Sequence, residues 1–462
     1  MIYEEYLAQK ECSEIMIENP FFHRGPIRDP AYFYNRETEA KRVLKMLSRG
    51  QCVSITGPRK IGKTSLLFHL ARPDVMRQHG LDPKRYLGVY FNCEGLGHLG
   101  LDEFYALILE EIAGQAEQHG HDLGHPDRPI SFLEFERVLR KAFDQGLRLA
   151  LLMDEFELLS ENPDVAMELL SGLRALATKF DIAYVTSSQR QLAAFTGQHS
   201  PFFNIFVLLK MELFSEADSR EMIEKSLAKA GAVFPPEAVD CVLELGGRNP
   251  FFLQVAGYWA LELQVTKGAP LDSKDFHILA QTVRGQVESH FEYYWRHLTP
   301  REQYVLAALP VTQSEATYRE ELEALSCLCL ITKEGGRYGY FSPLFRDFVR
   351  RQDVKDVLQA GPFVLALPRQ RALLRERPLS LSPRQFALLS YFIERQGQVV
   401  TNEELDREVI ATLSEEQGDY QYLGDERLKY TVRELRRLLE GDADCIINKR
   451  GVGYMLRISA DE

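Results

Sequence analysis

The feature that most constrains this chain is the run Gly57-Pro58-Arg59-Lys60-Ile61-Gly62-Lys63-Thr64-Ser65. It follows the apolar, strand-like segment Cys52-Val53-Ser54-Ile55-Thr56 and leads into the helical pattern Ser65-Leu66-Leu67-Phe68-His69-Leu70. A glycine-rich turn between a strand and a helix is the setting of a phosphate-binding P-loop. Its glycines are expected to turn consecutive N–H groups toward one point, and the helix that follows adds the positive end of its dipole. Lys63 is placed to reach the β- and γ-phosphates as a point charge, and the Thr64 hydroxyl to complete the shell of a Mg²⁺ bridging them.

A second segment points the same way. Leu147-Arg148-Leu149-Ala150-Leu151-Leu152-Met153 reads as a buried strand and ends in Asp154-Glu155, the pattern of a Walker B motif. There Asp154 would hold the magnesium shell and Glu155 would polarise a water against the γ-phosphate. Two acids at a strand end also favour the start of a helix over Phe156 to Ser160; it is the pairing with the P-loop that selects the chemical reading. The next strand-like run, Asp181 to Ser188, offers Thr186, Ser187, Ser188 or Arg190 as a contact to the γ-phosphate.

At 462 residues the chain is too long for one core, so two to four domains are expected, and its 45% hydrophobic content supports a folded protein. No apolar run approaches a bilayer span, and the acidic start Met1-Ile2-Tyr3-Glu4-Glu5 does not read as a signal peptide. A cytoplasmic protein with no membrane partner is expected. The seven cysteines form no CxxC pair, which argues against zinc and against a disulfide framework. A formal net charge of −12 disfavours nonspecific attachment to nucleic acid, so any DNA contact must come from a local basic face.

Along the chain, residues 1–20 read as an N-terminal arm, followed by a proline-rich turn region and a helix opening near Phe33 and running through Leu47. Strands over Tyr86–Asn92, 147–153, 181–188 and 205–209 alternate with helical patterns, indicating a parallel α/β sheet in a domain over 21–210. Residues 211–285 are almost wholly helical, broken by Gly246-Gly247-Arg248-Asn249-Pro250, and are assigned as a lid. A capping start at Leu298-Thr299-Pro300-Arg301-Glu302 and a hairpin over 330–341 suggest a winged helix within 286–358. A linker around Gln359-Ala360-Gly361-Pro362 would lead to a last domain over 362–462.

The combination Arg36-Glu37-x-Glu39, P-loop, Asp154-Glu155 and Gly246-Gly247-x-Asn249-Pro250, followed by a winged helix, resembles the signal-transducing STAND ATPases and their Orc-like AAA+ relatives over residues 19–355. The resemblance implies a doubly wound sheet with the P-loop strand central, and an adenine pocket lined by Arg36 and Pro250. The glycine usual before that arginine is Asn35 here. It also implies ATP and ADP as ligands, Mg²⁺, slow turnover, and a switch whose ATP form opens and assembles into homo-oligomers.

Residues 362–458 separately resemble the winged-helix DNA-binding domain of OmpR/PhoB-type response regulators. The matching runs are Leu379–Leu389, Gly397–Leu405, Thr431–Leu439 and Ile447–Tyr454. A helix from Asp425 to Leu439 would bury Leu428, Val432, Leu435 and Leu439 and leave Arg427, Lys429, Tyr430, Arg433 and Arg437 outside for a major groove and its phosphates. Lys449 and Arg450 fall at a hairpin tip, where a wing meets the backbone or the minor groove. The same arginines would also balance Glu434, Glu440 and Asp442 on a solvated surface. The acidic loop Ser414–Asp419 would contact polymerase or screen the basic face.

The fold expected is therefore multidomain, α/β plus α+β: a doubly wound parallel-sheet P-loop ATPase, a helical lid, a winged helix and a C-terminal OmpR/PhoB-like winged helix. The function expected is an ATP-dependent switch that binds double-stranded DNA, a transcription regulator. Its rivals are an Orc-like, mobile-element or defence ATPase that acts on DNA and recruits a protein partner, and a scaffold whose winged helices bind proteins only.

Overall fold

The computed structural model describes residues 19–458, apart from 22–24, 97, 125–129, 162, 181, 191–200, 310–315, 368–369, 376 and 412–423. Most of the N-terminal arm and the acidic loop at 414–419 lie outside the described residues. The chain forms two compact bodies divided between Val287 and Glu288, with Cys327–Cys329 belonging to the first.

The first body is built on strands β1 (Cys52–Thr56), β2 (Tyr86–Asn92), β3 (Arg148–Asp154), β4 (Ala183–Ser188) and β5 (Phe206–Lys210). All pair in parallel, in the order β2-β3-β4-β1-β5, so β1 lies between β4 and the edge strand β5, and β4 rather than the P-loop strand is central. Strand β3 is apolar on both faces because helices cover both. Helices α1 (Glu37–Leu47), α2 (Lys63–Leu70) and α3 (Pro73–Gln78) pack with Val53, Ile55, Ala150, Leu152 and Val185 on one side. Helices α4 (Leu101–Gln118), α5 (Phe132–Asp144) and α6 (Pro163–Phe180) cover the other, where Leu149, Leu151, Met153 and Tyr184 point. Alternate residues of β3 thus enter different cores, as a strand's two-residue period requires, and the sheet is doubly wound.

Four helices follow: α7 (Glu216–Lys229), α8 (Pro236–Gly246), α9 (Pro250–Lys267) and α10 (Ser273–Arg296). Gly247 ends α8 in the left-handed region at φ 57°, and the Asn249 side chain caps α9 by accepting from the Phe251 N–H. Helix α10 spans both residue 286, where the sequence reading placed a boundary, and the division after Val287. Leu279, Val283, Val287, Phe291 and Tyr294, three or four residues apart along it, are all buried.

The second body opens with α11 (Pro300–Ala307), capped by Thr299 and Glu302 in a reciprocal capping box. Helix α12 (Arg319–Cys327) and the hairpin β6 (Ile331–Glu334) to β7 (Arg337–Tyr340), turning at Gly335-Gly336, lead to α13 (Pro343–Val349). The expected linker at 359–362 is instead the tip of a hairpin between β8 (Val357–Ala360) and β9 (Phe363–Ala366). With β10 (Arg371–Leu374) and β11 (Arg377–Leu379) they make a four-stranded antiparallel sheet. The reason is core formation: Phe363 and Leu365 are fully buried in one cluster with Leu388, Leu389 and Phe392 of α14 (Pro383–Glu394). Strand β12 (Val400–Thr401), the short α15 (Asn402–Leu405), the long α16 (Gly424–Leu439), and β13 (Ile446–Lys449) with β14 (Gly453–Leu456) complete a winged helix whose three-stranded sheet has the order β12-β14-β13.

Candidate functional site

The P-loop leaves β1 at Thr56. A Cβ on Gly57 would lie 3.1 Å from Ile61 Cγ2 and from the Met211 carbonyl, so Gly57 serves close packing. The left-handed turns that aim the loop's N–H groups are at Lys60 (φ 66°) and Gly62 (φ 104°), which corrects the assignment of both turns to glycine. Lys63 opens α2 and is 4% exposed; its Nζ donates to the carbonyls of Gly57 at 2.9 Å and Pro58 at 3.0 Å. Desolvation lowers its pKa, while Glu155, Glu157 and Asp154 pull it back up.

A cavity of about 240 Å³ lies over this loop. Arg59, Lys60, Ile61, Gly62, Lys63, Thr64, Ser65 and Glu155 line it, together with the predicted Arg36 and Pro250. Its apolar wall is Phe33, Tyr34, Phe214, Met222 and Phe251, with the buried amide of Gln254 among them. Arg36 is 6% exposed: it pairs with Glu39 at 2.8 Å, donates to the Glu212 carbonyl at 2.7 Å and stacks 4.5 Å over Phe214. Asn35, in place of the usual glycine, adopts φ 56°, a conformation that Asn tolerates better than most residues.

The segment before Arg36, read from sequence only as a turn region, is a wall of the same cavity. The Ile27 N–H donates to the Ser65 hydroxyl at 2.9 Å. Asn35 donates to the Asp218 carbonyl, and Lys229 donates to the Ala31 carbonyl and sits 3.7 Å over the Tyr32 ring, so this strap is tied to α7. Its prolines and aromatics were visible, but only the long-range contacts reveal their use.

Asp154 is 2% exposed and lies behind the cavity rather than in its wall. Tyr90 donates to its Oδ2 at 3.1 Å, and the Ser187 hydroxyl donates to Oδ1. Glu155 faces the cavity at φ 51°, with its pKa raised by burial first and then by Asp154, against the lowering pull of Lys63. Glu157, which the sequence reading passed over, is 7% exposed, accepts from the Gln189 N–H at 2.9 Å, and has its pKa pushed by burial to about 7. Of the sensor candidates, Ser187 is committed to Asp154, the Ser188 hydroxyl donates to the Arg190 carbonyl at 2.7 Å, and Thr186 is fully buried. Arg190, Gly57 and Pro58 do not line the cavity, since β4 ends at Ser188 and the loop's first turn lies under Lys63.

In the C-terminal winged helix, Leu428, Val432, Leu435 and Leu439 of α16 are buried. Lys429, Tyr430, Arg433 and Arg437 are exposed and Arg427 is half-buried. Arg433 lies 5.2 Å over the Tyr430 ring, and Arg437 pairs with Glu434 at 3.0 Å. Arg436 turns inward and donates to the Ile446 carbonyl. Lys449 and Arg450 are exposed at the tip of the β13–β14 hairpin.

Among solved structures, a Walker-type ATPase of Pyrococcus abyssi is similar over 72% of this chain and 99% of its own, with a TM-score of 0.53 and 17% identity. The ORC2 protein of Aeropyrum pernix is similar over 72% of this chain and 96% of its own, with a TM-score of 0.50 and 14% identity. These likenesses establish the fold. The two-component response regulator PhoP of Pseudomonas aeruginosa is 32% identical over 104 residues, 22% of this chain and 43% of that protein, so the chain spans less than half the length of this relative. Residues 376–456 match the model of the C-terminal domain of transcriptional regulatory proteins, which makes this an OmpR/PhoB-type DNA-binding domain. Residues 48–313, more than half of the chain, match the model described as Novel STAND NTPase 2, and the chain belongs to that NTPase family.

Proposed function

We propose that this chain is a nucleotide-operated switch in which ATP or ADP, bound at the P-loop, governs DNA binding by the C-terminal winged helix, and that it acts as a cytoplasmic transcription regulator. One observation carries the reading: the P-loop, the strap around Arg36 and the lid residue Pro250 line one cavity. A ligand held there touches the P-loop, the strap and the lid together, so its occupancy and charge bias their arrangement.

The donors fit a nucleotide with Mg²⁺. Lys63 and the loop N–H groups would hold the phosphates, and Thr64 and Asp154 would hold the ion, which neutralises charge on the phosphate oxygens. The apolar wall and the stacked Arg36 suit a base. Glu155 would orient a water, with slow hydrolysis resetting the switch.

DNA binding by the full-length protein, measured at fixed salt with ADP and with a nonhydrolysable ATP analogue, tests the proposal. A sequence-selective complex that depends on the nucleotide is expected. Equal binding in both states favours a DNA-acting ATPase that recruits a partner, and no binding in either state favours a protein scaffold.

A further inference from the structure

A second cleft lies wholly within the second body. Its volume is about 960 Å³, large enough for a small-molecule ligand. Arg346 and Arg350, one turn apart on and just after α13, form one wall; Arg375 and Arg457 enter from the C-terminal domain. The opposing charges are Asp442 and Asp444. Arg375 holds Asp442 in a two-pronged pair at 3.0 and 3.1 Å, which fixes both side chains at the rim. Arg346 leans toward Asp347 at 3.3 Å. The Arg457 guanidinium is exposed to the cleft. Four arginines against Asp442, Asp444 and Asp347, the partner of Arg346, leave the cleft positive in a chain whose formal net charge is −12. Phe363, Ile447 and Ile458 give the cleft an apolar floor.

Guanidinium groups on two sides of the cleft suit the planar, multi-point recognition of phosphate oxygens, and a phosphate monoester, with a charge of about −1.5 to −2, complements the positive lining. We propose that this cleft binds a phosphorylated small molecule, an effector that ties α13 to the C-terminal DNA-binding domain. The proposal stands apart from the P-loop switch: a ligand here acts on the DNA-binding body directly, whatever the nucleotide does in the first.

Pyrophosphate is the probe, measured by calorimetry on the full-length Lys63→Ala protein so that P-loop phosphate binding is removed. One site is expected. Binding should weaken about tenfold in the added Arg457→Gln variant and again in Arg346→Gln, as charge-assisted bonds are lost. Arg457 is exposed, so its replacement leaves folding intact, and thermal melting of each variant checks this. The proposal is overturned if pyrophosphate does not bind the Lys63→Ala protein, if binding is unchanged in Arg457→Gln and Arg346→Gln, or if duplex DNA displaces it one for one, which would make the cleft a seat for the nucleic-acid backbone. Loss of P-loop nucleotide binding alone leaves these outcomes unaffected.

Discussion

The Tyr90 hydroxyl donates to Oδ2 of Asp154 across the pair of parallel strands β2 and β3. Together with Ser187 on β4, it fixes both oxygens of the carboxylate assigned to the metal. Tyr90 is itself held by Phe68 of α2, with ring centroids 4.4 Å apart, and Arg28 of the strap lies 4.3 Å over Phe68. Tyr90→Phe keeps the ring contact and removes only the donor. A hydrogen bond to a charged group contributes about 1.5–3 kcal/mol. The Mg²⁺-dependent part of nucleotide affinity should therefore fall by about tenfold to a hundredfold, with affinity in EDTA unchanged. Equal losses with and without Mg²⁺ would show that Tyr90 acts on the fold and not on the ion.

Glu157 supplies a pH-dependent prediction. Its pKa is moved by burial from 4.5 to about 7, so the folded state favours the neutral acid. Below pH 4.5 both folded and unfolded forms are protonated and the group costs nothing. As pH rises through this window the unfolded chain ionises first, and stability is lost until the folded group ionises as well. The loss is about 3 kcal/mol at most. Glu157→Gln keeps an acceptor for the Gln189 N–H and abolishes the titration. In urea unfolding of the first body, the variant should match the parent near pH 4.5 and exceed it at pH 8. A constant difference between the two pH values would contradict this account.

Arg36 is a fork held by Glu39, the Glu212 carbonyl and the Phe214 ring. Lysine cannot reproduce that planar, multi-point contact. Arg36→Lys should lower the stability of the first body by about 1–3 kcal/mol, the range for leaving buried partners unsatisfied, and should weaken nucleotide binding. Equilibrium unfolding and binding of a fluorescent ADP analogue, run on the same preparations, check both.

The parts of this architecture legible in sequence are those whose signal is local. Strands Cys52–Thr56 and Tyr86–Asn92 stand where their apolar runs place them, and the stripe Leu428, Val432, Leu435 and Leu439 predicts the buried face of α16. What was missed depends on distant partners. The sheet β8–β11 is made of strands of only three or four residues, too short for periodicity to declare itself, and the turn residues Gly361-Pro362 read more readily as a linker. The strap at 25–34 becomes a cavity wall only through Ser65, Asp218 and Lys229. Asn35 was noted as a departure from the family glycine, and only the backbone shows that it keeps the positive φ.

The winged helix offers a test that separates reading from support. Arg433 is exposed beside Tyr430 on the outer face of α16, whereas its neighbour Arg436 is spent on the Ile446 carbonyl. If the outer face enters the major groove, Arg433→Ala should cost about 1–3 kcal/mol on the preferred site and relax its sequence preference. Lys449→Ala or Arg450→Ala at the hairpin tip should weaken all duplexes alike. Each should also reduce the slope of log K against log salt by about 0.9 if the residue neutralises one phosphate. Arg436→Ala should instead loosen the packing of α16 on β13 and lower the melting temperature of the second body. Binding of specific and scrambled duplexes by full-length protein across a salt series distinguishes these patterns. If all four variants behave alike, the basic surface balances neighbouring acids and some other face of the domain meets the partner.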